Sequence, residues 1–368
     1  MIDGVAFNGK FLSVAPTGVH RVAAELTTHV DHHLATHATA ACLQSWNVIC
    51  PKDRQYTLDL KNIDCRAGGF LTWQPWEQFE LPMLARGKVL VNLCNLAPLL
   101  HRNSITMIHD AQVFITPQSY KRAFREWYRF ALPRIGAISA RILTVSEFSK
   151  TQLVKVGIAD PNKIHVIHNG VDHMQRVVAS RDAVLRFGLT GNTYAVALAS
   201  TQSHKNIEVL LKAFSLPKMS ALKLILVGHA DEAEFLAAGL TATPNVIFAG
   251  YVSDSEMRGL MEEAGCFAFP STTEGFGLPP VEAMAVGCPA LVAPCGAIPE
   301  VCGCAATYVD PYDVEGWADA IMKFSEEPTA RQVAVGKGLL HAEDMTWTKA
   351  AYKLLDIIND VANEGGHQ

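Results

Sequence analysis

The chain has 368 residues, of which 49% are hydrophobic and 18% charged, with a net charge of −5. At the usual ~100–200 residues per domain, this length predicts two domains with sizeable cores, and the composition excludes a disordered chain. The mildly acidic balance also excludes a general nucleic-acid binder, which needs a strongly basic face.

The N-terminus, Met1-Ile-Asp-Gly-Val-Ala-Phe, carries an acid at its third position and no apolar signal-peptide core. No segment reaches the ~18 apolar residues of a membrane span. A cytoplasmic protein is therefore expected. The nine cysteines are scattered and read as reduced, packed thiols. Cys302 and Cys304 lie close together, but no second pair or histidine cluster completes a zinc set, so no metal is expected.

Short apolar runs at 5–7, 89–93, 105–108, 142–145 and 164–167 alternate with helical patterns, as in parallel sheets covered by helices. After the first run comes Ala15-Pro-Thr-Gly18, then Val19, Val22, Ala23 and Leu26 at helix spacing. Ser146 is placed to cap a helix that Gly157 ends. The pattern restarts with runs at 194–198, 222–227, 246–248, 266–269 and 290–292, with helices predicted at 207–214 and 257–263. A tail helix is predicted over 346–361, where Trp347, Ala350, Ala351, Leu354, Leu355 and Ile358 share one face. The expected organisation is an N-terminal α/β domain over 1–175 and a C-terminal one over 176–345, and by pattern alone the 346–368 helix could complete either. Ligands of open α/β sheets bind at the carboxyl ends of strands, so a cleft between two such halves is the expected site.

The segment richest in chemistry is Glu274-Gly-Phe-Gly-Leu-Pro-Pro-Val-Glu282. A strand ends near Phe269. A helix is expected to start near Pro279 or Pro280, because proline fits a first turn and breaks an interior. That geometry puts Glu274 in a loop and Glu282 in the first helical turn, so the two carboxylates do not form a pair on one face. Gly275 and Gly277 allow close backbone approach. The N–H groups around Gly277 and Leu278 form a ready anion site. The carboxylates can accept hydrogen bonds from sugar hydroxyls. An acid that merely complements the helix dipole is the plain alternative, and it weighs more on Glu282 than on Glu274.

The spacing E-x7-E, extended through Ala283-Met-Ala-Val-Gly-Cys-Pro289, resembles the signature of the retaining family 4 glycosyltransferases of GT-B fold. The resemblance implies two Rossmann-like domains facing across a cleft, with the last helix crossing back to the N-terminal domain. It implies transfer of a sugar from a nucleotide donor without a metal or other cofactor. Glu274 would lie at the transferred sugar and Glu282 at the ribose. Backbone groups at Phe276, Gly277 and Leu278 would meet the sugar and the distal phosphate.

Other segments fit the same resemblance. Ser200-Thr-Gln-Ser-His204-Lys205-Asn206 is similar to the family's R/K-K-N segment, whose cations hold the diphosphate. Lys205 matches, whereas His204 stands where arginine is frequent, leaving charge compensation to another residue such as Arg21. A solvated lysine is the alternative for Lys205. His109-Asp110, after the run 105–108, resembles the HD segment of family mannosyltransferases, where the histidine contacts the donor sugar. A histidine that only caps the strand end by hydrogen bonds is its alternative. Thr17-Gly18-Val19-His20-Arg21 is similar to the family's first glycine loop and is neither a P-loop nor G-x-G-x-x-G. Val166-Ile-His-Asn-Gly-Val-Asp172 matches the stretch before the interdomain linker and reads as structural. The resemblance covers nearly the whole chain.

With Trp73-Gln-Pro-Trp-Glu-Gln-Phe-Glu-Leu-Pro82, these features look like bacterial mannosyltransferases of polysaccharide synthesis. GDP-mannose is thus the expected donor and a glycan or lipid-linked molecule the expected acceptor. A UDP-sugar is the alternative donor. A phosphorylase or epimerase of the same fold, or a non-catalytic sugar-nucleotide binder, remains a rival. From 121 to 150 there are seven Lys/Arg against two Glu, interleaved with Phe124, Trp127, Tyr128 and Phe130. A basic, aromatic helix within 119–135 suits peripheral contact with an anionic membrane, while a solvated helix with its aromatics in the core is the plainer reading.

Overall fold

The computed structural model describes residues 2–34, 36, 43 and 45–365. The chain divides into two compact units, Met1–Gly170 with Trp347–Gln368, and Val171–Thr346.

The first unit contains β1 (Gly4–Asn8), α1 (Gly18–His33), β2 (Ser45–Cys50), β3 (Asp64–Ala67), β4 (Lys88–Asn92), β5 (Ser104–Met107), α2 (Arg122–Ile138), β6 (Arg141–Thr144), α3 (Glu147–Lys155) and β7 (Ile164–Val166). Its strands form one parallel sheet in the order β3-β2-β1-β4-β5-β6-β7. In β1, Val5 pairs with Trp46 on one side and Val89 on the other. Both neighbours of β1 are reached by crossovers in opposite directions, so the sheet has a switch point between β1 and β4. Val89, Leu90 and Val91 are all fully buried, as expected of a strand covered on both faces. The Ser146 hydroxyl caps α3 by accepting from the Ser149 N–H at 3.0 Å.

β2 and β3 lie outside the expected strands. β3 reads Asp-Cys-Arg-Ala and is largely exposed. It is an edge strand defined by its partner β2 rather than by an apolar run.

The second unit contains β8 (Tyr194–Leu198), α4 (Ile207–Phe214), β9 (Lys223–Val227), β10 (Val246–Gly250), α5 (Asp254–Glu263), β11 (Cys266–Phe269), α6 (Leu278–Ala285), β12 (Ala290–Val292), β13 (Thr307–Tyr308), α7 (Val314–Glu326) and α8 (Pro328–Glu343). The six strands are parallel, in the order β10-β9-β8-β11-β12-β13, and the switch point lies between β8 and β11. Leu210, Phe214, Leu224, Leu226 and Ala268 join Trp317 and Ile321 of α7 in one core.

The terminal helix α9 (Trp347–Gly365) belongs to the first unit and packs on α1. Trp347, Ala351, Leu354, Leu355 and Ile358 are fully buried, the face that the helical spacing marks as apolar. Tyr352 Oη lies 3.1 Å from His33 Nδ1, tying α9 to the end of α1. Two Rossmann-like α/β units, the second interrupting the first, are the GT-B arrangement of domains along a chain. Among the described residues no helix is long and apolar enough to cross a membrane.

The basic stretch 121–150 is not a single helix, because β6 separates α2 from α3 within it. Its aromatics divide: Trp127 and Tyr128 pack against the core of the first unit, whereas Phe124 and Phe130 are exposed. Phe124 stacks on Tyr128, and the Arg134 guanidinium lies 3.7 Å from the Phe130 ring centroid.

Candidate active site

The ten residues singled out by sequence fall on both units. Gly18, Arg21 and His109 lie on the first. His204, Lys205, Glu274, Phe276, Gly277, Leu278 and Glu282 lie on the second.

In the second unit two loops meet at the switch point. Beyond β8 the chain makes a tight 3-10 turn, Ser203–Lys205, and enters α4 through Asn206 in a left-handed conformation with φ of 52°. Beyond β11 the chain runs through 270–277 into α6. The Lys205 ammonium reaches across to Glu274 Oε1 at 2.7 Å, although 69 positions separate the two residues. Their side chains are 25% and 12% exposed, so the pair is sheltered yet open to a ligand.

Hydrogen bonds brace this arrangement. The His204 carbonyl accepts from the Thr272 N–H at 2.8 Å and its hydroxyl at 3.2 Å. The Asn206 amide donates to the Pro270 and Pro311 carbonyls. The Glu274 carbonyl accepts from the Ala297 N–H at 3.0 Å. Gly296 passes so close that a Cβ there would sit 2.5 Å from the Glu274 nitrogen. The His204 ring is buried and its pKa is lowered, first by desolvation and then by the Lys205 charge, with Glu274 opposing. It is therefore a neutral hydrogen-bonding group at neutral pH and does not supply a second cation.

α6 begins at Leu278, with Gly277 as its left-handed N-cap at φ of 89°. Both prolines fit inside the first turn, since a helix leaves its first N–H groups unpaired. Glu282 is consequently the fifth helical residue and lies just past the first turn, not within it as the sequence reading placed it. Because Pro279 and Pro280 carry no N–H, the backbone donors at the start of α6 are those of Gly277 and Leu278. Phe276 is 5% exposed and anchors the loop.

Glu282 has a partner that sequence reasoning missed. His173 Nε2 lies 3.0 Å from Glu282 Oε1, and the histidine is buried. The short helix His173–Arg176 that carries it is held by Arg258, whose guanidinium donates to the Met174 carbonyl at 3.1 Å and the Val177 carbonyl at 2.5 Å. A single histidine in a turn carries no spacing signal, and the stretch ending at Asp172 read as structural.

In the first unit His109 follows β5 and is 6% exposed. Its Nε2 lies 2.9 Å from the Leu93 carbonyl, which can only accept, so Nε2 carries the proton and Nδ1 keeps its lone pair. The backbone is fixed as well: the His109 N–H donates to Asn95 Oδ1 at 2.9 Å, and the His109 carbonyl accepts from the Ser149 hydroxyl at 2.9 Å. Burial is the main cause of a pKa pushed down to about 4, with His20 adding to it and the Leu93 bond opposing. The ring is thus a neutral, oriented imidazole.

Gly18 is the first residue of α1, and a Cβ there would meet no atom within 4 Å. Packing within the chain does not demand glycine at this position. Arg21 lies in the same first turn and is half-buried. Among the described residues no group of three or more His, Cys, Asp or Glu is placed to hold a metal ion.

Known proteins match this arrangement. Residues 188–338 match the model of the glycosyl transferases group 1, and residues 85–175 match that of Glycosyltransferase Family 4. O-antigen chain mannosyltransferase B of Escherichia coli is 30% identical over 268 residues, which is 68% of this chain and 70% of that protein. Among solved structures, sucrose-phosphate synthase from Thermosynechococcus elongatus superposes with a TM-score of 0.70 at 17% identity, covering 97% of this chain and 98% of that one. Anabaena Alr3699/HepE in complex with UDP-glucose gives 0.69 at 16% identity, covering 97% and 99%. These two likenesses extend the agreement in fold over nearly the whole length. The family matches fall on both units, and one of them contains the Lys205–Glu274 pair. The chain belongs to the family 4 glycosyltransferases of GT-B fold and is a glycosyltransferase.

Proposed function

We propose that the enzyme transfers mannose from GDP-mannose, with retention, to a glycan or lipid-linked acceptor in polysaccharide synthesis. The observation that carries this reading is the Lys205–Glu274 pair, held 2.7 Å apart on the loop that leads through Gly277 and Leu278 into α6. A nucleoside diphosphate sugar needs a cation and backbone donors for its diphosphate, and an acceptor of hydroxyl hydrogen bonds for its sugar. All three converge here. The name of the Escherichia coli relative supports mannose and a polysaccharide product.

In this reading Lys205 and the N–H groups from Gly277 hold the distal phosphate and stabilise the charge that develops as it leaves. Glu274 accepts hydroxyls of the transferred sugar, with the Phe276 and Leu278 backbone beside it. Glu282, oriented by His173, accepts the ribose hydroxyls. His204 contributes a neutral hydrogen bond rather than charge. His109 offers Nδ1 to a sugar hydroxyl. Gly18 leaves the start of α1 open to a ligand, and Arg21 supplies a further cation. No protein nucleophile is required, because the departing phosphate can take the proton from an acceptor that attacks on its own face. A resident metal or organic cofactor has no step to perform.

A UDP-sugar donor is the second reading, supported by the complex of the Anabaena neighbour with UDP-glucose. Incubation of the chain with GDP-mannose, UDP-glucose and ADP-glucose, following nucleotide release and melting temperature, separates the two. GDP-mannose should give the largest thermal shift and the fastest release. Preference for UDP-glucose would transfer the assignment to the second reading, and no release from any donor would remove the catalytic role. The exposed Phe124 and Phe130 beside the arginines of α2 also favour contact with an anionic membrane. Co-sedimentation with vesicles containing phosphatidylglycerol, abolished by salt, is the expected result, and equal sedimentation with neutral vesicles would refute it.

A further inference from the structure

At the outer edge of its sheet, the first unit holds a cluster of two thiols and a guanidinium that the proposed reaction does not use. Cys50 ends β2 and is fully buried, and Cys65 lies in the edge strand β3 and is half-buried. Cys50 stands opposite Ala67 and Cys65 opposite Val48, so both side chains lie on one face of the sheet, two positions out of register. Their sulfurs are 3.9 Å apart. Arg54 Nη1 donates to Cys50 Sγ at 3.3 Å and to Cys65 Sγ at 3.2 Å, and among the described residues this guanidinium has no carboxylate partner. Arginine ordinarily pairs with a carboxylate or phosphate. One aimed at two sulfurs suits a pair that carries negative charge during a reaction.

The segment that carries Arg54 also supports the approach to α1. The Gln55 and Tyr56 N–H groups donate to the Leu12 carbonyl at 2.8 and 3.1 Å. Leu12 lies in the 3-10 turn Gly9–Ser13 that follows β1. A Cβ on Gly9 would lie 2.9 Å from Cys50 Cβ, so this turn also rests on the cysteine itself. A disulfide needs sulfurs about 2.05 Å apart, so closing the pair requires a shift of roughly 2 Å. β3 can supply it, because an edge strand is hydrogen-bonded on one side only, here to β2. Burial and the neighbouring Cys50 push the Cys65 thiol up to about 11, while Arg54 opposes them. The pair is thus a slowly reacting dithiol at neutral pH, with a cation in place to favour its thiolate.

We propose that Cys50 and Cys65 form an oxidative modification site, closed to a disulfide by hydroperoxides, and that closure frees Arg54 and loosens the turn before α1. The Cys65 thiolate attacks a peroxide oxygen. The O–O bond breaks, hydroxide leaves and takes up the thiol proton as water, and Cys65 becomes a sulfenic acid. The Cys50 thiol then attacks that sulfur. The S–O bond breaks, a second water carries away the hydroxyl with the Cys50 proton, and the S–S bond forms. The two thiols lose two electrons, and one peroxide is reduced to two waters. A disulfide carries no charge, so the guanidinium loses its attraction to the sulfurs and the hydrogen bonds from Gln55 and Tyr56 lose their anchor. Gly18 and Arg21, which the proposed function assigns to the ligand, follow that turn in the chain. The oxidation state of the sheet edge therefore bears on the site without either cysteine entering it.

The test treats the full chain, first reduced, with hydrogen peroxide, blocks the remaining thiols with N-ethylmaleimide and maps linked peptides by mass spectrometry without reductant. A peptide pair joining Cys50 to Cys65 should appear and should vanish with dithiothreitol. Cys65→Ser should abolish it. Arg54→Gln should slow its formation several-fold, because the thiolate loses its cation. In hydrogen exchange, peptides spanning 9–17 should exchange faster in the oxidised parent and not in peroxide-treated Cys65→Ser. The inference is overturned if no link joins Cys50 and Cys65 once the exposed Cys304 thiol is fully oxidised. It is equally overturned if Arg54→Gln closes as fast as the parent, or if the linked chain exchanges over 9–17 as the reduced one does. Donor turnover by the reduced chain is a separate measurement, so a failure here leaves the enzymatic reading standing.

Discussion

A lysine and a glutamate 69 positions apart form the shortest charged contact of the candidate site, at 2.7 Å. Glu274 holds the Lys205 ammonium in place, and in the proposed function Lys205 then meets the diphosphate while Glu274 presents its remaining lone pairs to the sugar. Glu274→Gln keeps the shape and removes the charge. Transfer should fall by about 10²- to 10³-fold, the scale for losing one positioned polar group at a reacting centre, and near-normal turnover would dismiss the role. Nothing in the sequence spacing shows that these two residues touch, since the contact requires β8 and β11 to be neighbours. The pairing of Glu282 with His173 was hidden for the same reason. His109 carries a different expectation. Its pKa is about 4 in the fold against 6.5 for the free side chain, so the unfolded chain binds more protons between those values. Its contribution is complete above pH 6.5 and is lost as the pH falls toward 4. The gap corresponds to about 3 kcal/mol. Urea unfolding from pH 7 to pH 4 should show a smaller loss of stability for His109→Gln than for the parent. Equal losses would mean that the ring is not buried neutral.

At the scale of elements, most strands and helices are legible because parallel strands buried on both faces read as apolar runs. β8 and β11 coincide with the runs at 194–198 and 266–269. β3 was not legible, because Asp64 and Arg66 are set in a strand by hydrogen bonds to β2 and not by burial. The start of α6 shows a subtler limit. Proline marks a first turn without saying which of its positions it takes, so Glu282 was placed one or two residues too early in the helix. Gly277 is where that loop becomes a helix, and its left-handed φ of 89° is poorly tolerated with a side chain. A Cβ there would also sit 2.3 Å from Ile298 Cδ1, so the isoleucine would have to move. Gly277→Ala should therefore destabilise the chain by about 1–3 kcal/mol and raise the KM for the donor. An unchanged melting temperature with an unchanged KM would show that the loop relaxes freely.

At the scale of the molecule, the order of the chain and the order of the cores disagree. The last helix follows the second unit in sequence but completes the core of the first. Amphipathic spacing marked the buried face of α9, yet that pattern fits either unit equally well, and only the packing of α9 on α1 decides between them. Trp347, the first residue of this helix, is fully buried, and Thr346 before it is the last residue of the second unit. Trp347→Ala should cost about 3–5 kcal/mol, the usual range for emptying an aromatic site in a core. The location of that loss distinguishes the two units better than its size. Hydrogen exchange followed by mass spectrometry should show faster exchange in peptides from β1 to β7 and α1, far away in sequence. Peptides from β8 to β13, much closer along the chain, should keep the protection of the parent. Faster exchange confined to β12, β13 and α8 would show instead that α9 stabilises the second unit, and would refute the assignment of the terminal helix.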